Sequence, residues 1–111
     1  MARHEVPELT DEQRRANLTR AVEARRVRKA ALDEVRRGTL GVRAALDDPR
    51  LARCKVFAWL RAIPGIGTAR AQQIMTRAQV KPSRRVAGLG IRQRGRLVRI
   101  LEDRGASGGE S

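Results

Sequence analysis

A short proline–glycine turn between two apolar helical segments constrains the fold of this chain more than any other feature. Residues 63–74 read IPGIGTARAQQI. Pro64 ends the first segment, because proline fixes its own φ and pushes the preceding residue out of the α region. Gly65 and Gly67 permit a sharp turn and carry no side chain that would hold another molecule away. The spacing predicts a helix-hairpin-helix whose second helix covers residues 68–78.

The start of that second helix is a predicted phosphate-binding site. The first amides of a helix have no acceptor within it, and they lie at the positive end of the helix dipole. Amides in this position bind phosphate and do not read base edges. Residues 87–90, AGLG, predict a second glycine turn that leads into the final helix.

The charge of the chain favours a polyanionic partner. Its 111 residues carry 25 Lys and Arg against 12 Asp and Glu, which gives a net charge of +13 at pH 7. All but three of the basic residues are arginine, whose planar guanidinium suits bidentate phosphate contacts. Together with the hairpin turn, this charge indicates nucleic acid as the partner.

Composition and periodicity predict a single all-α domain. Helix-forming residues dominate, and no convincing alternating strand pattern is present. Thr10 and Gln13 form a predicted capping box at the start of a long helix, which Gly38 ends. The apolar stripe of this helix is thin, so its first part is expected to project from the body. Trp59 is expected to lie in the core, although a base-stacking role is the alternative.

The predicted organisation has four parts. These are a flexible lead over residues 1–9, a long helix over 10–37, a nucleic-acid-binding domain over 38–104 and a disordered tail over 105–111. Within the domain, the predicted helices cover residues 39–47, 51–63, 68–78 and 91–103.

Several classes of protein are not expected. Cys54 is the only cysteine, so no internal disulfide forms, and no Cys/His cluster predicts a metal site. The N-terminal residues contain no apolar signal region, and no segment approaches the length of a membrane span. His4 is the only histidine, and no nucleophile has a base nearby in a recognisable pattern. We therefore expect a cytoplasmic protein without cofactor or enzymatic activity.

The C-terminal half resembles the actinobacterial integration host factors. The resemblance rests on Lys55-Val56, on residues 60–74 and on SRRVAGLG at residues 83–90, and it covers about residues 55–101. It implies a long N-terminal helix followed by a compact helix-two-turn-helix body. It also implies a nucleoid-associated protein that binds duplex DNA with little sequence preference, bends it, and acts in chromosome compaction, supercoiling and integration.

The resemblance places the family's phosphate-contacting arginine pair on Arg84 and Arg85. Ala87 stands where the family usually has arginine, and Thr68 and Gln72 stand where lysines are frequent. Arg70, Arg92 and Arg94 are candidate replacements for these lost cations. The predicted DNA contacts are Lys55, Pro64, Gly65, Ile66, Gly67, Thr68, Arg70, Arg84, Arg85, Gly88, Leu89, Gly90, Arg92 and Gln93.

The expected mechanism uses two amide pockets on one face, one over residues 65–68 and the other over residues 88–92. Both would grip phosphates of double-stranded DNA, and a monomer would suffice, with no membrane or small-molecule partner. Two alternatives stay open. One is an RNA-binding module like the ribosomal protein of the same helix-two-turn-helix arrangement, and the other is a DNA-processing enzyme. The N-terminal helix could also lie on an acidic membrane, although it lacks bulky apolar anchors.

Overall fold

The computed structural model describes residues 10–108, and side chains as far as residue 103. The prediction of an all-α fold with a long N-terminal helix is confirmed. The described part contains one isolated β-bridge, between Lys55 and Arg85. The helices are α1 (Asp11–Arg37), α2 (Val42–Asp47), α3 (Val56–Ala62), α4 (Thr68–Ala78) and α5 (Ile91–Gly108), with 3₁₀ turns at Pro49–Leu51 and Val86–Gly88. The predicted flexible lead over residues 1–9 lies outside the described residues.

Helix α1 begins and ends at the predicted residues. The Thr10 hydroxyl accepts from the backbone N–H of Gln13 at 3.0 Å. The Gln13 side-chain oxygen accepts from the backbone N–H of Thr10 at 2.8 Å, which completes the capping box. At the other end, Gly38 adopts φ 80°, a left-handed conformation that favours glycine. Residues 11–26 are all exposed, whereas Ala31 and Val35 are buried. The first half of α1 therefore projects from the body, as predicted.

A charged cluster fixes the second half of α1 on the body. The Arg50 guanidinium donates to both carboxylate oxygens of Glu34 at 2.8 Å and to Asp48 at 2.8 Å. These hydrogen bonds hold the pKa values of the Glu34 and Asp48 carboxyl groups below their ordinary values. Because Glu34 lies on α1 and Arg50 lies in the 3₁₀ turn at Pro49–Leu51, the cluster sets the direction in which α1 projects.

Glu34→Gln is expected to reduce the free energy of unfolding at neutral pH and to have little effect in acid. A carboxyl whose folded pKa is depressed stabilises the fold above its unfolded pKa, near 4.3 for Glu, and this contribution is lost as pH falls through the folded value. Urea unfolding of both proteins between about pH 7 and pH 3 checks this. Glu23→Gln is the matched control, since Glu23 pairs with Arg26 on the projecting half of α1. A Glu34→Gln deficit that did not shrink in acid would contradict the prediction.

The predicted starts of α2 and α3 are wrong. Helix α2 begins at Val42 rather than residue 39, because the amides of Thr39 and Leu40 bond back to Glu34 O at 2.9 and 3.3 Å. Helix α3 begins at Val56 rather than residue 51, because the preceding segment is used in tertiary contacts. Its backbone pairs with the chain thirty residues later, through hydrogen bonds that include Val56 N to Arg84 O at 3.0 Å.

Helix α4 has the predicted bounds, and α5 is longer than predicted. Helix α4 buries Ala71, Ile74, Met75 and Ala78. Helix α5 continues to Gly108 rather than ending near residue 103. Of the predicted disordered tail, residues 105–108 thus lie in α5 and residues 109–111 lie outside the described part.

The core is aliphatic and is centred on one tryptophan. Trp59 is 1% exposed, so the prediction that it packs in the core is confirmed. The other fully buried large side chains come from the 3₁₀ turns and from helices α3 and α5; they are Leu51, Leu60, Leu97, Val56 and Val86. Because these residues fix α3, α4 and α5 against each other, they also fix both glycine turns.

Candidate nucleic-acid interface

The first candidate contact is the hairpin end, which we define as residues 64–70. Gly65 adopts φ 86°, which explains why glycine is needed at this point of the turn. Ile66, a predicted DNA contact, is 5% exposed and anchors the turn to the core, and its backbone N–H donates to Ile63 O at 3.1 Å, so it is occupied within the protein. The first helical hydrogen bond of α4 runs from Ala71 N to Gly67 O at 2.9 Å. The amides of residues 68–70 precede that bond and therefore point out of the helix end.

The hairpin end is open to a ligand. Pro64, Gly65, Gly67, Thr68 and Arg70 are all exposed. A Cβ added at Gly67 would meet nothing within 4 Å, so the backbone there is accessible. Helix α4 has no side-chain cap and no acidic residue in its first turn. Helix α1, in contrast, begins with a side-chain cap and two acidic residues, which satisfy its start from within the chain.

The second candidate contact is the basic turn, which we define as residues 84–93. It is attached to the start of α3 through the bridge between Lys55 and Arg85 and the hydrogen bond from Val86 N to Cys54 O at 2.9 Å. The Arg84 guanidinium donates to Gly88 O at 3.0 Å, and the Arg85 guanidinium donates to Arg53 O. Both arginines therefore have a structural contact, which positions their remaining N–H groups at the surface.

The structure corrects the predicted amide pocket at residues 88–92. Three of its amides are used within the turn: Gly88 N donates to Arg85 O, Leu89 N to Val86 O, and Gly90 N to the Gln93 side chain. The amides that point outward are those of residues 91–93, because the first helical bond of α5 runs from Arg94 N to Gly90 O at 2.9 Å. The open pocket thus begins one residue after Gly90.

Two further predicted contacts are occupied inside the protein. The Gln93 side chain donates through Nε2 to Gln79 O at 2.9 Å and accepts through Oε1 from the backbone N–H of Gly90. Gln93 is therefore a positioning residue. The Leu89 side chain is 9% exposed and packs on the core. Arg94, a candidate replacement cation, forms an ion pair with Asp47 that joins α5 to α2. Arg92, in contrast, is exposed.

The two candidate contacts lie at opposite ends of α4. The hairpin end leads into Thr68, whereas Gln93 and Arg96 donate to the carbonyl groups of Gln79 and Ala78 at the other end of the helix. Helix α4 has 11 residues and so spans about 16 Å. Backbone pairing brings Lys55 beside Arg84 and Arg85. Helix α4 thus lies between the two candidate contacts, and the expectation that both face one side of the molecule stays a prediction.

Comparison with known proteins identifies the family. A sequence profile of the S13-like H2TH domain matches residues 26–101. The integration host factors of Mycolicibacterium smegmatis and Mycobacterium tuberculosis are each 43% identical over 97 residues, which covers 84% of this chain and 92% of the relative. The chain belongs to the actinobacterial integration host factors. The Streptomyces coelicolor integration host factor is 35% identical over 105 residues, covering 91% of this chain and 98% of the relative.

A solved structure of the family superimposes on the chain. The structure of sIHF bound to an 8-bp palindromic DNA matches with a TM-score of 0.67 and 32% sequence identity, covering 74% of this chain and 97% of that chain. The long first helix and the helix-two-turn-helix body are therefore the fold of an integration host factor.

The positive charge of this family member is concentrated in the body, a signal that total charge alone conceals. Residues 49–101 contain 13 Lys and Arg and no Asp or Glu, whereas the rest of the chain carries 12 of each kind. The entire net charge of +13 thus comes from the segment that contains both candidate contacts. Counting acidic residues along the chain would have located this segment without a structure.

The lone cysteine and the question of a membrane span lie outside the candidate interface. Cys54 is 3% exposed, and burial raises the pKa of its thiol. Among the described helices, none is both long and apolar enough to cross a membrane.

Proposed function

We propose that this integration host factor binds duplex DNA through its phosphate backbone and organises it in the nucleoid. The single observation that supports this most strongly is the match, at 32% identity, to a family structure with DNA bound. The acid-free segment over residues 49–101 adds the charge that such a partner requires. Base readout is not part of the proposal, because backbone amides and guanidinium groups at helix starts recognise phosphate.

The two ends of α4 would contact separate phosphates. At the hairpin end, the outward amides of residues 68–70 and the exposed Arg70 would hold one phosphate. At the basic turn, the amides of residues 91–93 would hold another, assisted by Lys55 and Arg85. Because the two groups lie at opposite ends of α4, a helix about 16 Å long, one phosphate cannot contact both.

Bending of the DNA is part of the proposal. Bending a short site costs on the order of 1–6 kcal/mol, which additional phosphate contacts must offset. Because the cost depends on how easily each base step deforms, a protein of this kind retains weak preferences for flexible sequences. Such bending would allow the protein to compact DNA and to influence supercoiling and integration.

Gly67→Ala is expected to lower affinity for duplex DNA about tenfold, through interference with charge-assisted hydrogen bonds worth roughly 1.5–3 kcal/mol. Gly67 has φ −95° and open space around it, so alanine fits the fold. The alanine methyl group would obstruct the approach of a phosphate to the outward amides. Gly41→Ala is a matched control, because Gly41 is also an N-cap glycine with φ −72° and nothing within 4 Å of an added Cβ.

Fluorescence anisotropy with a labelled duplex, together with thermal unfolding of each variant, measures the effect. Equal affinities for the Gly67→Ala and Gly41→Ala proteins would remove the hairpin end from the proposal. Loss of affinity in both variants would point to a general effect of substitution at N-cap glycines.

RNA is the second candidate partner, because the matching profile describes an S13-like domain. Competition between duplex DNA and structured RNA at equal salt concentration distinguishes the two. Preference for RNA would replace DNA as the proposed partner while leaving the phosphate contacts unchanged.

We infer further that the protein acts by binding, without catalysis and as a monomer. The buried Cys54 thiol, with its raised pKa, is a poor nucleophile. Sedimentation with and without DNA tests the monomer, and incubation with damaged or methylated duplex tests for cleavage.

A further inference from the structure

One large apolar side chain is left in solvent at the basic turn. Ile91, the first residue of α5, is 89% exposed. Among the described side chains, the other exposed large apolar residues are Leu18 and Val22 on the projecting half of α1, which are 61% and 50% exposed. Helix α5 is held to the core by Leu97 and Leu101, which are 0% and 4% exposed. Ile91 therefore makes little contribution to the packing of the helix that it begins.

The backbone that carries Ile91 is held firmly. Gly90 N donates to the Gln93 side chain at 3.0 Å, and Gln93 in turn donates to Gln79 O at 2.9 Å. Arg84 spans the same turn by donating to Gly88 O at 3.0 Å. Because these contacts fix the start of α5, they fix the backbone from which the exposed Ile91 side chain projects.

The surroundings of Ile91 are positively charged and accessible. The outward amides of residues 91–93 adjoin the exposed Arg92. No acidic residue occurs between residues 49 and 101, and Asp47 of α2, which reaches this end of α5, is neutralised by its ion pair with Arg94. A duplex seated on these groups would place its sugar and base edges beside the apolar side chain, whose transfer out of water is favourable.

We propose that Ile91 inserts into the minor groove of bound DNA and wedges apart a base step. This inference rests on the proposed function, and it names the residue that deforms the duplex. Aliphatic side chains that enter the minor groove unstack a base step partially and kink the duplex towards the major groove. The backbone contacts of the basic turn hold the duplex in place while Ile91 enters. Pyrimidine–purine steps, which deform most easily, are the preferred position of the wedge.

Ile91→Ala is expected to abolish most of the DNA bend while leaving the fold and the salt dependence of binding unchanged. Alanine favours helix, and the substituted side chain is exposed, so thermal stability should be retained. No charge is removed, so the number of neutralised phosphates should stay the same. Ile91→Phe is expected to retain the bend, because phenylalanine also serves as a wedge. Leu18→Ala is the matched control, since it removes an exposed aliphatic side chain far from the basic turn.

Energy transfer between dyes at the two ends of a duplex of about 30 bp with one central TA step reports the bend. 2-Aminopurine at that step reports unstacking through its fluorescence. The proposal is supported if three proteins, the wild type, Leu18→Ala and Ile91→Phe, reduce the distance between the end dyes and increase the 2-aminopurine fluorescence. Ile91→Ala should change neither quantity. Equal bending by Ile91→Ala overturns it. A wild-type protein that binds but leaves the duplex straight overturns the wedge and leaves DNA binding intact, whereas failure to bind duplex DNA overturns the proposed function as well.

Discussion

Raising the salt concentration from about 50 mM to about 200 mM is expected to lower the affinity for duplex DNA roughly 100-fold. The exposed cations are Arg70 at the hairpin end, Arg85 and Arg92 in the basic turn, and Lys55, whose backbone pairs with Arg85. If each neutralises one phosphate, counterion release gives a slope of about −3.6 in a plot of log affinity against log salt. Binding titrations at several salt concentrations measure this slope.

Comparing the salt slopes of two single variants tests whether the slope arises from the candidate contacts. Arg70→Ala should make the slope shallower by about 0.9, because one phosphate contact is lost. Arg20→Ala removes an exposed arginine from the projecting half of α1 and should leave the slope unchanged. A flat response in the wild-type protein would contradict a phosphate-backbone interface.

Thr68→Glu is expected to change stability and DNA affinity in opposite directions. Helix α4 begins at Thr68 with no acidic residue in its first turn, so a carboxylate there interacts favourably with the helix dipole. The stability gain should be about 0.3–1 kcal/mol. The same carboxylate lies where a phosphate would bind. Like-charge repulsion of roughly 1–3 kcal/mol near a protein surface would lower the affinity about tenfold to a hundredfold.

Thr68→Gln separates the charge from the size of the new side chain. Urea unfolding gives the stability of each variant, and anisotropy with a labelled duplex gives the affinity. If Thr68→Glu binds as tightly as Thr68→Gln, the start of α4 is not a DNA contact. The opposite signs are the informative result, because a variant that merely unfolds loses both stability and affinity.

Prediction from sequence succeeded where the determining contacts are local. The bounds of α4 follow from Pro64, Gly67 and the apolar spacing, all within one segment of the chain. The start of α1 follows from a capping box whose two partners, Thr10 and Gln13, are three residues apart. The start of α3 could not be obtained in this way, because the backbone around residue 54 pairs with that around residue 86.

The candidate site shows the same division. The hairpin turn and the start of α4 were predicted as they are found, but the outward amides are those of residues 68–70 and not 65–68, because Ile66 N donates to Ile63 O. The pocket at the basic turn was placed too early in the chain. Its first amides bond within the turn, and Gly90 is satisfied by a glutamine side chain that packs against the end of α4. The exposure of Ile91 likewise depends on how α5 packs.

The amino-acid sequence alone determined the helical class of this protein, the hairpin turn and the positive charge, because each of these arises from neighbouring residues or from composition. Only the tertiary structure decided where the second turn lies, how far it is from the first and which amides stay open. Those properties depend on hydrogen bonds and packing between residues that are distant in the chain. Local conformational preferences do not specify which distant residues pair.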